Sequence, residues 1–393
     1  MRRPGLTGDI WPDEVQELLL QAALLPGQRG MTSWSVVRPR IDVDYLPAEL
    51  HRLIPLLWKA LADRGQNDPD LARLKGVYQF SWYRNTMLFA EAAGLLNELA
   101  AASIQSMVLR GAAIAIGYRR DAGTRTMNDM DILVPPAEFH RARRVAAAAG
   151  WHPAVPAHPL ERRLGAAPLR NAMGRMIRLH SLPSANLALP NAPWDGVWKR
   201  GVDIRVRDAD SCMLSAADQL VHTCIDGARA GSGASLRWVA DAMAVITAPT
   251  ANLDWDVVVA EARRLRVTLQ IGEAMRYLKQ ALDACVPKTV LGALATTPTT
   301  RRDRVSHLLS MTTTPRVAPA AEIIGRFTRF TAEMKVLQAA AVMPDYLATE
   351  LDVERRRDFP VLVVKRAIRA ALSPRPSLAS SAVATPEKAK RQW

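Results

Sequence analysis

The chain has 393 residues, with 52 Lys+Arg against 38 Asp+Glu and a formal net charge of +14. Apolar residues make up 49% and charged residues 23%. These ordinary globular values exclude a largely disordered chain, a collagen-like repeat and a disulfide scaffold, and the length suits roughly two to three domains with a sizeable core.

The N-terminal Met1-Arg2-Arg3-Pro4-Gly5 is basic, but no apolar run follows, so no secretory signal is expected. Apolar spacing predicts a helix over 15–25, stopped by Pro26-Gly27, and another over 46–62 with Leu53, Leu56, Leu57, Ala60 and Leu61 on one stripe. Residues 71–101 read as one or two helices carrying Phe80, Trp82, Tyr83 and Phe89. Residues 1–103 thus form a helical N-terminal region whose aromatics read as core. Near residue 104 the pattern changes. A short buried strand is predicted over 104–109, then a tight turn at Arg110-Gly111-Ala112-Ala113 into a helix of small residues, then a polar loop over 119–128. Asp129-Met130-Asp131-Ile132-Leu133-Val134 alternates acid and apolar until Pro135-Pro136 stops it, which predicts a strand with both carboxylates on one face. A helix over 138–150 and strands over 176–180, 186–189 and 202–206 complete a core over 104–210.

Helical patterns return over 216–225, 236–246, 256–266, 269–285, 302–309 and 320–341, within a C-terminal domain over 211–372. Ser215 and Asp218 have the spacing of a capping box with Asp in place of Glu. The tail, 373–393, is rich in Pro, Ser, Ala and Lys and reads as disordered. Short apolar stretches such as 112–116 and 361–364 cannot span a bilayer, so no membrane partner is expected. Cys212, Cys224 and Cys285 are too few and scattered for a disulfide framework or a zinc site, and a reducing cytoplasm is the expected compartment. The basic residues are 43 Arg and only 9 Lys, a skew that reflects coding bias as much as a polyanion partner. Residues 101–210 carry net +7 and residues 301–393 net +8. The run Arg162, Arg163, Arg170, Arg175 and Arg178 reads equally as a polyphosphate or RNA path and as a solvated basic face.

The chemistry concentrates in two halves of one segment. Two carboxylates at i and i+2 of a strand, Asp129 and Asp131, can share a divalent metal that bridges nucleotide phosphates. Gly111 at a strand-to-helix turn lets phosphate oxygens approach the backbone, where the helix N-terminus offers free N–H donors. Arg125, four residues before the first carboxylate, is placed to hold the pair or a phosphate.

Those residues resemble the bacterial nucleotidyltransferase-family proteins of the polymerase-β-like superfold, whose core runs apolar strand, Lys-Gly-Ala-Ala, Tyr, Arg, then Asp-apolar-Asp-apolar-Leu-Val-Pro. Here these are Val108-Leu109-Arg110-Gly111-Ala112-Ala113, Tyr118, Arg125 and Asp129 through Pro135. Leu74 to Asn85, Leu214 to His222 and Leu236 to Asp241 extend the likeness into both helical regions. The resemblance implies an α+β fold: a small mixed sheet with flanking helices between helical N- and C-terminal regions. It implies a metal-dependent transfer of a nucleoside monophosphate from a nucleoside triphosphate to an acceptor, with release of pyrophosphate. Asp129 and Asp131 would be catalytic and hold Mg²⁺ or Mn²⁺. Arg110, Gly111, Ala112 and Arg125 would bind the nucleotide, and Arg178 and His180 would face the substrate. The acceptor is open: a small molecule, a protein side chain or an RNA end.

Two departures stand out. Arg110 replaces the family's Lys. Arg178, in Arg178-Leu179-His180-Ser181, occupies the place of the third carboxylate, and an Arg cannot act as a base. Asp203 is an alternative third carboxylate by strand alternation. The alternative function is a nucleotide-binding or regulatory pseudoenzyme; a kinase using the same pair is a further reading. His180 also reads as a structural histidine.

Overall fold

A computed structural model of the chain describes residues 5–8, 10–154, 165–184, 194–230, 236–249, 251–311 and 336–350, with single positions between 324 and 334. The strand expected over 186–189, Arg162, Arg163 and the tail over 373–393 lie outside these residues, as does most of the helix expected over 320–341.

The acid–apolar alternation after residue 128 builds the middle of the sheet. Strand β1 (Met107–Leu109) pairs antiparallel with β2 (Asp129–Leu133), and β2 pairs parallel with β5 (Met176–His180). Strands β3 (His152–Pro153) and β4 (Ala166–Arg170) extend one side, and β7 (Ala209–Met213) and β6 (Val202–Val206) extend the other. The order is β3-β4-β5-β2-β1-β7-β6, a seven-stranded mixed sheet. The fold is α+β, as expected.

Each face of the sheet carries its own packing. Val108, Met130, Ile132, Ile177 and Leu179 point into one cluster with α6 (Phe139–Ala148) and the C-terminal half of α4 (Leu71–Ala101). Met107, Leu109 and Leu133 point into the other. That second cluster also takes α1 (Glu14–Leu24), α2 (Gly27–Val37) and α3 (Ile54–Asp63), together with α8 (Ala216–Gly227), α9 (Arg237–Thr247), α10 (Trp255–Arg264), α11 (Thr268–Leu282) and α12 (Lys288–Ala295). Helices that precede and follow the sheet in the sequence therefore share one core with it. Between them lie α5 (Arg110–Ala113), which continues through a π-turn over Ile114–Tyr118, and the short α7 (Asp195–Lys199). Helices α13 (Arg301–Ser310) and α14 (Val336–Glu350) follow. Among the described residues no helix is long and apolar enough to cross a membrane.

Local chemistry sets the helix ends. Asp13 and Gln16 form a reciprocal capping box at α1. Ser215 accepts from the Asp218 amide and also donates to its carboxylate at 2.6 Å, so the expected cap at α8 is present. Pro26-Gly27 does end α1, but Pro26 is at once the N-cap of α2, a helix that the stop signal hid.

Candidate functional site

Strand β1 ends where β2 and β5 begin, and that end of the sheet gathers the polar residues. Asp129 and Asp131 sit two apart on β2 and share a face, about 7 Å apart along the strand. In the parallel register Asp131 lies beside Arg178 and Leu133 beside His180. Both β5 side chains reach back one pair. Arg178 Nη2 lies 3.3 Å from Asp129 Oδ2, and His180 Nε2 lies 2.6 Å from Asp131 Oδ1. Arg110 enters from the start of α5 with φ of +50°, an uncommon conformation for a residue with a side chain. It donates from Nη1 to Asp131 Oδ1 at 2.8 Å and from Nε to Asp226 Oδ2 at 3.1 Å. Asp226, near the end of α8, also accepts from Ser184 Oγ at 2.6 Å.

The charges sort themselves by environment. Burial alone would raise the Asp131 pKa, but Arg110 and the His180 bond outweigh it and hold this carboxyl well below its ordinary value. Burial and the neighbouring Asp131 push Asp129 the other way, above its ordinary value, against the pull of Arg178. Burial lowers the His180 pKa more than Asp131 restores it. His180 is therefore neutral at pH 7. Its Nε2 carries the proton, because an ionised Asp131 can only accept. Burial opposes the Arg110 charge, yet Asp131 and Asp226 keep this guanidinium firmly protonated.

Two expected site residues have other partners than the carboxylate pair. Arg125 donates to Asp241 through Nε at 3.0 Å and Nη2 at 2.9 Å, a two-point pair on α9, so this edge of its guanidinium is taken by Asp241 rather than by the carboxylate pair. Its guanidinium also fills the space over Gly111, where a Cβ would collide with it. The glycine is thus needed for this packing. Asp203 is not the third carboxylate. It lies on edge strand β6, three strands from β2 and so roughly 14 Å away. There it accepts a weak bond from Cys212 Sγ at 3.8 Å. Gly111 and Ala112 lie at the start of α5, as expected, and both are buried.

Asp226 contacts Arg110, Ser184 contacts Asp226 and Asp241 contacts Arg125, although the sequence marked none of the three as a site residue. Asp226 follows His222 by four residues, one helical turn on the same face of α8, and that spacing was the available signal. His222 itself is buried against Trp194, and among the described residues neither ring nitrogen has a hydrogen-bond partner.

Two hard carboxylates on one face suit a divalent cation that shares its coordination with phosphate oxygens and water. They do not form a cage of their own. Among the described residues no group of three His, Cys, Asp or Glu is placed to hold a metal.

The sequence model of a family described as uncharacterised nucleotidyltransferase matches residues 46–283, more than half of the chain. The chain belongs to this nucleotidyltransferase family. The match spans α3 through α11 and so includes the Asp129–Asp131 face, Arg110, Arg178, His180 and Asp226. No curated protein matches this nucleotidyltransferase-family chain. The crystal structure of an antigenic nucleotidyltransferase-like protein from Paracoccidioides brasiliensis resembles it at 14% identity and a TM-score of 0.35, covering 54% of this chain and 94% of that one.

Proposed function

We propose that the protein transfers a nucleoside monophosphate from a nucleoside triphosphate to an acceptor and releases pyrophosphate. The observation that carries this reading is the Asp129–Asp131 pair on one face of β2, beside the start of α5 and in reach of Arg110. Family membership supports the reaction class. Asp129 and Asp131 would hold Mg²⁺ or Mn²⁺, which supplies bridging of phosphate oxygens and neutralisation of developing charge. Arg110 leaves its carboxylate partners for the triphosphate, and the backbone amides of Gly111 and Ala112 donate to the same anion. His180 keeps Asp131 ionised and oriented through its Nε2–H. The acceptor is a small molecule, a protein side chain or an RNA end.

The test incubates the protein with each labelled nucleoside triphosphate and Mg²⁺ or Mn²⁺, with and without cell extract as acceptor source. Label on an acceptor, with pyrophosphate released and both lost in Asp129→Ala/Asp131→Ala, supports the transferase. A second reading, nucleotide binding without turnover, is favoured by one observation: Arg178 pairs with Asp129 where a base would have to stand. Tight nucleotide binding with no pyrophosphate under any condition would support it. ADP formation with a phosphorylated acceptor would instead indicate a kinase.

A further inference from the structure

Arg178 is the least satisfied charged group of the site. Its register places it beside Asp131 on the carboxylate face, where a third acid would have completed a metal cage. Among the described residues it makes one ion pair, the 3.3 Å contact with Asp129. Its Nε is buried and has no hydrogen-bond partner among the described residues. The side chain as a whole is nevertheless 38% exposed, so part of it meets solvent. A planar fork with an unused donor edge is suited to two oxygens of one phosphate. The charges around it are nearly balanced already. The carboxylates of Asp129, Asp131 and Asp226 face the guanidinium groups of Arg110 and Arg178, with His180 neutral. One net negative charge remains, which suits a single divalent ion delivered with a polyanion and disfavours two.

We propose that Arg178 is the resident counter-cation of this site. On arrival of a nucleoside triphosphate it leaves Asp129 and takes phosphate oxygens, filling the place of a second metal ion. The protein then takes up one divalent ion at most, and only together with nucleotide. This rests on the reading of the Asp129–Asp131 face as a nucleotide site.

Two titrations test it. The first follows binding of ATP, CTP, GTP and UTP by calorimetry, in EDTA and in Mg²⁺. The second follows Mn²⁺ binding to the nucleotide-free protein by electron paramagnetic resonance. The wild type is expected to bind a nucleotide in EDTA and to leave Mn²⁺ free. Arg178→Gln should lose at least tenfold in nucleotide affinity in EDTA, and Arg178→Lys should recover part of it. Arg178→Glu should bind Mn²⁺ at least tenfold more tightly than the wild type. Thermal unfolding verifies that each variant is folded, and the Gln and Lys variants decide the matter should the Glu variant fail to fold. Tight Mn²⁺ binding by the nucleotide-free wild type, or equal affinities of wild type and Arg178→Gln in EDTA, would overturn the proposal. Nucleotide binding that needs Mg²⁺ and ignores Arg178 sinks only this inference. Absence of nucleotide binding in every condition sinks the transferase reading with it.

Discussion

Asp131 is the most constrained residue of the site, because one oxygen receives both Arg110 and His180. Arg125 and Asp241 form the second tight pair, with side chains 14% and 9% exposed. Removing one partner leaves the other charge desolvated. Asp241→Ala is therefore expected to cost about 3–5 kcal/mol in urea unfolding, and Arg125→Met/Asp241→Leu should return most of it. Gly111 is tied to the same pair. Gly111→Ala drives a methyl into the Arg125 guanidinium and should cost about 1–3 kcal/mol, with a parallel loss of nucleotide affinity. A Gly111→Ala protein as stable as wild type would show that the Arg125 packing is slack.

At the scale of elements, α11 and α13 are linked by a buried polar contact. Glu273 Oε1 lies 3.0 Å from His307 Nε2, and the carboxylate also accepts from the Thr7 amide and hydroxyl. Burial alone would raise the Glu273 pKa, but these bonds outweigh it and hold it below its ordinary 4.5. The sign follows from linkage. A depressed carboxylate contributes stability above its unfolded pKa and loses it as pH falls through that value toward the folded one. Thermal midpoints should drop below about pH 4.5, and Glu273→Gln should flatten that part of the profile. A wild-type profile that stays level there would mean that the network contributes nothing.

The elements also show what sequence could and could not reveal. Strand β2 was legible because acids and large apolar residues alternate from Asp129 to Leu133. The long helices were legible from their stripes. Strand β7, Ala-Asp-Ser-Cys-Met, was not: it has no β-branched residue and little alternation, yet it is the parallel partner of β1. Strand β4 hid behind Pro168, which occupies a ladder position opposite Arg178. In the site, the carboxylate pair could be read from spacing, and its neighbours on β5 from the family resemblance. The partner of Arg125 could not, because Asp241 lies 116 residues away and only the packing of α9 brings it near.

The molecule as a whole is organised by the cluster that α1, α2 and α3 share with α8 through α12. Leu20 of α1 is fully buried in it. Leu20→Ala should cost about 2–5 kcal/mol. Since α1, α2 and α3 pack into this core and, among the described residues, into no other, the loss should appear as a shift of one calorimetric transition. A separate early transition would show that the N-terminal helices unfold on their own.

Helix α4 runs 31 residues and enters both cores, Leu74 in one and Leu88 through Leu99 in the other. Between these anchors Tyr78 holds Asp121 at 2.9 Å, and Asn85 Nδ2 holds the carbonyls of Ala122 and Arg125, each at 2.6 Å. The loop that delivers Arg125 to Gly111 is thus hung from successive turns of one rod. Angular phase along that rod is therefore a heritable constraint. One residue inserted between Tyr78 and Asn85 would turn the downstream half by about 100° and carry the Asn85 hook away from the loop. Seven inserted residues would restore the heading to within about 20° while lengthening the rod by about 10 Å. The two hooks would then stand too far apart for one loop to hold both, so length changes in this helix should be tolerated only outside the span from Tyr78 to Asn85.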